Sequence, residues 1–142
     1  MSEIRSFNLG IPETEIDDLK ARLSHARWPD SETVDDWTQG VPIEYHREFC
    51  EYWANDYNWY DTQDRLNKYP QYKTIIDNLD IHFLHLKSSH KDATPIIMTH
   101  GWPGSIVEFL KVIEPLAEPT KYGGSPDDAF HVVCPSLPGY GF

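Results

Sequence analysis

Residues 95–105 restrict the fold more than any other stretch of the chain. A short apolar run, Pro95-Ile96-Ile97-Met98, leads into Thr99-His100-Gly101-Trp102-Pro103-Gly104-Ser105, and a helical pattern follows. An apolar run of this kind is found buried in parallel sheets. Ser105 and Glu108 have the S-x-x-E spacing of a capping box, which predicts a helix beginning at or just after Ser105. Ile106, Phe109, Leu110, Ile113, Leu116 and Ala117 form its apolar face, and Pro119 ends it. A Gly/Pro/Asp loop over 121–128 precedes the next strand, Phe130-His131-Val132-Val133-Cys134. Strand 95–99, helix 106–117 and strand 130–134 form one strand–helix–strand unit, whose two strands should run parallel.

Upstream, the pattern is that of a hairpin. Tyr72-Lys73-Thr74-Ile75-Ile76 and Ile81-His82-Phe83-Leu84-His85-Leu86 are β-rich, with Asp77-Asn78-Leu79-Asp80 between them. Alternation puts His82 and His85 on opposite faces of their strand, which argues against a metal pair. No HxxxH or HExxH motif exists elsewhere, so no metal and no cofactor is expected. A hairpin joined to a strand–helix–strand unit gives an α/β sheet with an antiparallel edge.

The first 70 residues are helical. After an extended lead-in over 1–10, Pro12 suits a first helical position, and Ile16, Leu19, Leu23 and Ala26 recur at helical spacing. Acidic residues open this helix and Lys20, Arg22, His25 and Arg27 close it, in the sense of the helix dipole. His25 is read as a dipole partner rather than a catalytic base. Trp28-Pro29 stops the helix, and residues 29–41 form a polar loop. A second helix starts near Pro42, with Tyr45, Phe49, Tyr52 and Trp53 on one face. A third spans Tyr60 to Lys68, before Pro70. The aromatic cluster Tyr52, Trp53, Tyr57, Trp59 and Tyr60 is read as packing rather than as a ligand box, because aromatics supply much burial per residue.

Composition narrows the partners. The 142 residues carry a formal charge of −11. Residues 1–70 hold 7 Lys/Arg against 15 Asp/Glu, and residues 71–142 hold 5 against 8. Neither nucleic acid nor an anionic membrane attracts such a surface. Cys50 and Cys134 lack CxxC or zinc-type spacing, so reduced thiols in a reducing compartment are expected. No apolar run approaches the ~20 residues of a membrane span and no signal-peptide core opens the chain, so it reads as a soluble, cytoplasmic protein.

The segment His100-Gly101-Trp102-Pro103 carries the chemistry. It is similar in kind to the loop of α/β hydrolases that donates one oxyanion-hole N–H. A negative oxygen that develops in an acyl or ester intermediate is stabilised by fixed donors ~3 Å away. Trp102 has a backbone N–H to give and Pro103 has none. Gly101 lets the backbone approach closely, and Pro103 holds a fixed turn, for which a cis Trp102–Pro103 bond is one means. A plain strand-to-helix turn is the other reading of the same residues. Hydrolysis also needs a nucleophile, a base and a group orienting the base, and no G-x-S-x-G elbow is present.

Taken together, the segments resemble the N-terminal part of epoxide hydrolases of the microsomal and juvenile-hormone type. The likeness is carried by Arg27-Trp28-Pro29-Asp30, Leu66-Asn67-Lys68-Tyr69-Pro70-Gln71-Tyr72, residues 76–85, His100-Gly101-Trp102-Pro103-Gly104-Ser105 and residues 135–142, in the family's order. It implies a helical N-terminal extension over 1–70 and the opening strands of an α/β-hydrolase domain over 71–142. It also implies a mechanism, in which an Asp nucleophile opens the epoxide, lid tyrosines assist the ring oxygen, and a His–acid pair activates water against the ester. Only the oxyanion role maps here, onto Trp102 with His100, Gly101 and Pro103 shaping its loop. The resemblance implies that the nucleophile, tyrosines, base, acid and second oxyanion donor lie beyond Phe142, so this chain alone is expected to be inactive.

The substrate implied for the full-length protein is a small hydrophobic epoxide. In the resembling fold, strand 95–99 has a neighbour on each side. Here one is missing, so self-association or complementation by another chain through the open sheet edge is expected. Two alternatives stand beside this reading: a non-catalytic truncated module that binds a hydrolase or a hydrophobic ligand, and another α/β hydrolase such as a dehalogenase or esterase.

Overall fold

The computed structural model describes residues 3–142. They form two compact units, one of residues 3–9 with 64–142 and the other Gly10–Gln63.

The 10–63 unit holds helices α1 (Glu13–Ser24) and α2 (Ile43–Asn55) and the first residues of α3 (Trp59–Asn67). Pro12 is the N-cap of α1 rather than its first helical residue, and Glu13 and Glu15 occupy the first turn. The helix stops at Ser24, short of Trp28-Pro29, with His25 as C-cap. The His25 Nδ1 donates to the Ala21 carbonyl at 2.8 Å, where a cation also suits the dipole. Loop 29–41 ends by feeding α2: the Glu32 carboxylate accepts the Ile43 N–H at 3.0 Å, which holds its pKa below the usual carboxylate value.

The aromatic side of α2 is a correction. Its covered face runs through Ile43, Arg47, Cys50 and Ala54, while Tyr45, Phe49, Tyr52 and Trp53 are exposed. Tyr60 is exposed too, whereas Tyr57 and Trp59 are half-buried. The aromatics lean on one another at the surface, Trp37 on Tyr45 at 5.2 Å and Phe49 on Trp53 at 6.3 Å, instead of filling a core. Helical spacing marks a face; it does not say which of two faces is covered, and here the smaller residues are.

The other unit is built on a five-stranded sheet in the order β1-β2-β3-β5-β4. The strands are β1 (Arg5–Phe7), β2 (Gln71–Ile76), β3 (Leu79–Leu86), β4 (Thr94–Ile97) and β5 (Phe130–Pro135). The lead-in expected to be merely extended is therefore an edge strand, antiparallel to β2. The hairpin turn is two residues, Asp77 (φ 49°) and Asn78 (φ 64°), rather than four. Asp and Asn tolerate the left-handed region, and two such residues give the turn that matches strand twist. Leu79 and Asp80 consequently pair within the ladder, where Asp80 meets Arg5 at 2.6 Å and Lys73 at 3.7 Å. β4 and β5 are parallel, as the strand–helix–strand pattern requires.

Two expectations downstream fail. The helix over 106–117 is broken into a 3-10 turn, Ile106–Phe109, and a five-residue helix, α4 (Ile113–Ala117). Pro115 explains the break. In a continuous helix it would lack the N–H for the Lys111 carbonyl and its ring would strike that carbonyl. Restarted at Ile113, the helix carries Pro115 in its first turn, where no N–H is needed. The loop over 121–128 is likewise partly ordered, with 3-10 turns at Pro119–Tyr122 and Pro126–Asp128. β4 is an open edge of the sheet, as expected from its missing neighbour. It pairs only with β5 among the described residues, and Ile97 is 70% exposed.

The core under the sheet is Leu84, Ile106, Ile113, Ala117, Val132 and Cys134, each at most 2% exposed. Cys50 and Cys134 are free, and burial pushes the Cys134 thiol up to about 11, which keeps it protonated and unreactive. Among the described residues no helix is long and apolar enough to cross a membrane, and no group of His, Cys, Asp and Glu could hold a metal ion.

Candidate active site

The chain leaves the sheet at the carboxyl end of β4, the end where α/β sheets place their ligands. The Met98 N–H still reaches the Val133 carbonyl at 2.9 Å, and then the backbone turns away through Thr99. His100 is 4% exposed and is the anchor of the loop. Its Nε2 accepts the Leu137 N–H at 3.2 Å. A backbone N–H only donates, so Nε2 carries the lone pair and the neutral ring holds its proton on Nδ1. That nitrogen lies 3.2 Å from the Gly101 carbonyl, the acceptor it needs. Tyr140 meets the ring edge-on at 5.0 Å. His100 thus ties its own loop to the segment after β5.

Gly101 and Trp102 follow. The Trp102–Pro103 peptide bond is cis and the Trp102 side chain is 85% exposed. No acceptor meets the Trp102 N–H among the described residues.

Beyond Pro103 the chain is closed by the capping box. Ser105 Oγ accepts the Val107 N–H at 3.3 Å and Glu108 Oε1 accepts the Ser105 N–H at 3.2 Å. Gly104 makes this fit, because a Cβ there would lie 1.3 Å from Glu108 Oε1. The box engages the Ser105 and Val107 N–H groups, and one 3-10 turn has little dipole. The Trp102 N–H is among the loop's N–H groups that remain without an acceptor among the described residues.

Four residues near the loop carried no functional reading in the sequence: Gln71, His82, Ser136 and Gly141. His82 Nε2 is 2.9 Å from Gln71 Oε1, and His82 Nδ1 is 2.9 Å from Ser136 Oγ. The His82 ring is held down to a pKa of about 4, first by burial and then by Lys73, its partner across the β2–β3 ladder. It is therefore neutral at physiological pH. His82 and Ser136 are 54 positions apart, and no local motif announces the cluster.

A mixed sheet whose β4 runs through a short loop into a helical turn and back to a parallel β5 is the opening of an α/β-hydrolase fold. Residues 4–109 match the family described as the epoxide hydrolase N terminus. A Stigmatella aurantiaca protein assigned to the epoxide hydrolases is 51% identical over 139 residues, covering 98% of this chain and 32% of that protein. Epoxide hydrolase 1 of Sus scrofa is 40% identical over 143 residues, covering 98% and 32%. The crystal structure of juvenile hormone epoxide hydrolase from the silkworm Bombyx mori superposes with a TM-score of 0.86 at 32% identity, over 100% of this chain and 34% of that one. The chain belongs to the epoxide hydrolase family, as its N-terminal region, and its fold is a partial α/β-hydrolase fold. It spans about a third of the length of the curated relatives it matches.

Proposed function

We propose that this chain is the N-terminal part of an enzyme that hydrolyses small hydrophobic epoxides to diols through an Asp-ester intermediate, and that it supplies the first oxyanion donor. The observation that carries the reading is the Trp102 N–H: it has no internal acceptor among the described residues, and it stands next to an anchored histidine at the carboxyl end of β4. A donor fixed before the reaction costs no reorganisation when charge develops. His100, Gly101 and Pro103 shape the loop and take no proton from substrate. The helical 1–70 and the sheet-forming 71–142 then act as the extension and the opening of the catalytic domain.

The nucleophile, base, orienting acid and lid tyrosines come from the remaining two thirds of such an enzyme. The chain alone is inactive, and the bare edge of β4, with Ile97 exposed, is where it self-associates or accepts complementing strands. The protein works in the cytoplasm, without nucleic acid or membrane as partner.

Fusing residues 1–142 to the C-terminal two thirds of the Stigmatella aurantiaca relative tests this. The chimera should turn a small aryl or alkyl epoxide over to its diol, whereas residues 1–142 alone should not. A folded chimera without turnover contradicts the reading, as does hydrolysis by the chain alone.

A further inference from the structure

One buried polar chain in the sheet unit takes no part in the proposed chemistry. His82 sits in the middle of β3 and is 2% exposed. The Gln71 amide nitrogen donates to the Leu66 carbonyl at 3.1 Å and to Asn67 Oδ1 at 3.0 Å. Those two acceptors fix the amide, so its oxygen faces His82 and the ring must donate from Nε2. Nδ1 is left with the lone pair, and the Ser136 hydroxyl donates to it. Ser136 is tied a second time, by its N–H to the His82 carbonyl at 2.8 Å. The next residue, Leu137, gives its N–H to His100. The two histidines thus use opposite tautomers, Nε2–H at His82 and Nδ1–H at His100.

The surroundings leave this arrangement little room. Phe7 and Phe142 meet the His82 ring at 5.3 Å each, nearly perpendicular to it. Gly141, at φ +77°, passes so close that a Cβ would stand 2.6 Å from Ser136 Oγ and 3.2 Å from His82 Nδ1. The two ends of the 136–141 segment, Ser136 and Gly141, therefore close onto the imidazole. A buried hydrogen bond that has only one workable geometry specifies position as well as stability.

We infer that His82 is a positioning residue for the donor loop: clamped by Gln71 and accepting from Ser136, it sets the 136–142 segment where the Leu137 N–H meets His100, and so places Trp102. The inference rests on the reading of Trp102 as the donor and names what holds that donor in place. The path runs Gln71, His82, Ser136, Leu137, His100, Gly101, Trp102, each step a hydrogen bond or a peptide link. A histidine that merely satisfied its own polar atoms would not communicate a change at Ser136 to His100.

Imidazole 15N spectra of the labelled 142-residue chain, in solution or by magic-angle spinning of a sedimented sample, test it. At pH 7 His82 should show an unprotonated Nδ1 and a protonated Nε2, and His100 the reverse. In Ser136→Ala the Leu137 amide should exchange about five-fold faster, the loss of roughly one net hydrogen bond, and the His100 Nε2 resonance should move. Either histidine in the other tautomer overturns the inference. So does a Ser136→Ala chain in which Leu137 and His100 are unchanged. If that variant fails to fold, the tautomers of the unaltered chain decide alone. Failure of the donor reading looks different: the tautomers stand as stated, yet removing the Trp102 N–H in the chimera costs no turnover.

Discussion

The Leu137 N–H donates to Nε2 of His100 across 3.2 Å, joining the loop after β5 to the loop after β4. Both partners belong to loops, so neither is held there by the sheet's own ladder. The proposed activity depends on this bond, because it is the one side-chain hydrogen bond between the two loops among the described residues, beside the edge-on contact of Tyr140 with the same ring.

Replacing His100 with Ala leaves the Leu137 N–H without its acceptor and should cost roughly 1–3 kcal/mol for the orphaned donor, with more for the cavity. His100→Gln offers an amide oxygen and should recover part of that. The urea midpoints of the chimera and its two variants check the order: native, then Gln, then Ala. Equal midpoints for Gln and Ala would show that Nε2 matters little as an acceptor.

The buried His82 makes stability depend on acid. Its pKa is about 4 when folded and near 6.5 when unfolded, so the unfolded state binds the extra proton between those values. Stability is full above about 6.5 and falls as the pH drops towards 4, by on the order of 2–3 kcal/mol. Lys73 faces His82 from β2 and works in the same direction, with Asp80 paired to that lysine. Measured from pH 7 to 4, the urea midpoint of the chimera should fall more steeply than that of His82→Gln. Parallel curves would remove His82 from the account.

Two glycines in the same loop separate strain from crowding. Gly139 and Gly141 both have positive φ, 84° and 77°, but an added Cβ meets nothing within 4 Å at Gly139. Gly139→Ala should therefore cost only about 1–2 kcal/mol for the left-handed backbone. Gly141→Ala adds the collision with Ser136 and should cost clearly more, with the His82 imidazole signals displaced. Similar losses at both positions would mean that the loop does not close onto His82 as described.

The edge of β4 should govern association. Ile97 is 70% exposed beside unpaired backbone, and a charge on such an edge opposes pairing. Sedimentation velocity should find residues 1–142 self-associated and Ile97→Lys shifted towards monomer. A native chain that is already a monodisperse monomer would contradict this.

Four of the five strands are legible because their signals are local, whereas β1 reads only as an extended lead-in. Alternation in Ile81–Leu86, the apolar run at 95–98 and the run at 130–134 each needed one window of residues. The two turn residues Asp77 and Asn78 were visible too, but pairing of Leu79 with Ile76 depends on backbone conformations that a four-residue polar stretch does not reveal. Pro115 is readable in principle, but it lies inside an apolar pattern that looks continuous from Ile106 to Ala117. The aromatic face of α2 was misjudged for a deeper reason: period alone cannot say which face finds a partner. The loop proposed as donor has a local pattern in the sequence, His100-Gly101-Trp102-Pro103, whereas the contacts that hold it have none. Gln71, His82 and Ser136 meet only once β2, β3 and the end of β5 lie side by side, and His82 read by itself is one polar position in an alternating strand.

The Trp102 peptide nitrogen is the most direct target. In the chimera, Trp102→Ala keeps the N–H and alters only an exposed side chain, while Trp102→Pro removes the donor. With unchanged urea midpoints confirming that both fold, kcat for epoxide hydrolysis should fall on the order of 10²-fold in Trp102→Pro and only a few-fold in Trp102→Ala. Equal, small losses in the two variants would contradict the assignment of this loop to the oxyanion hole.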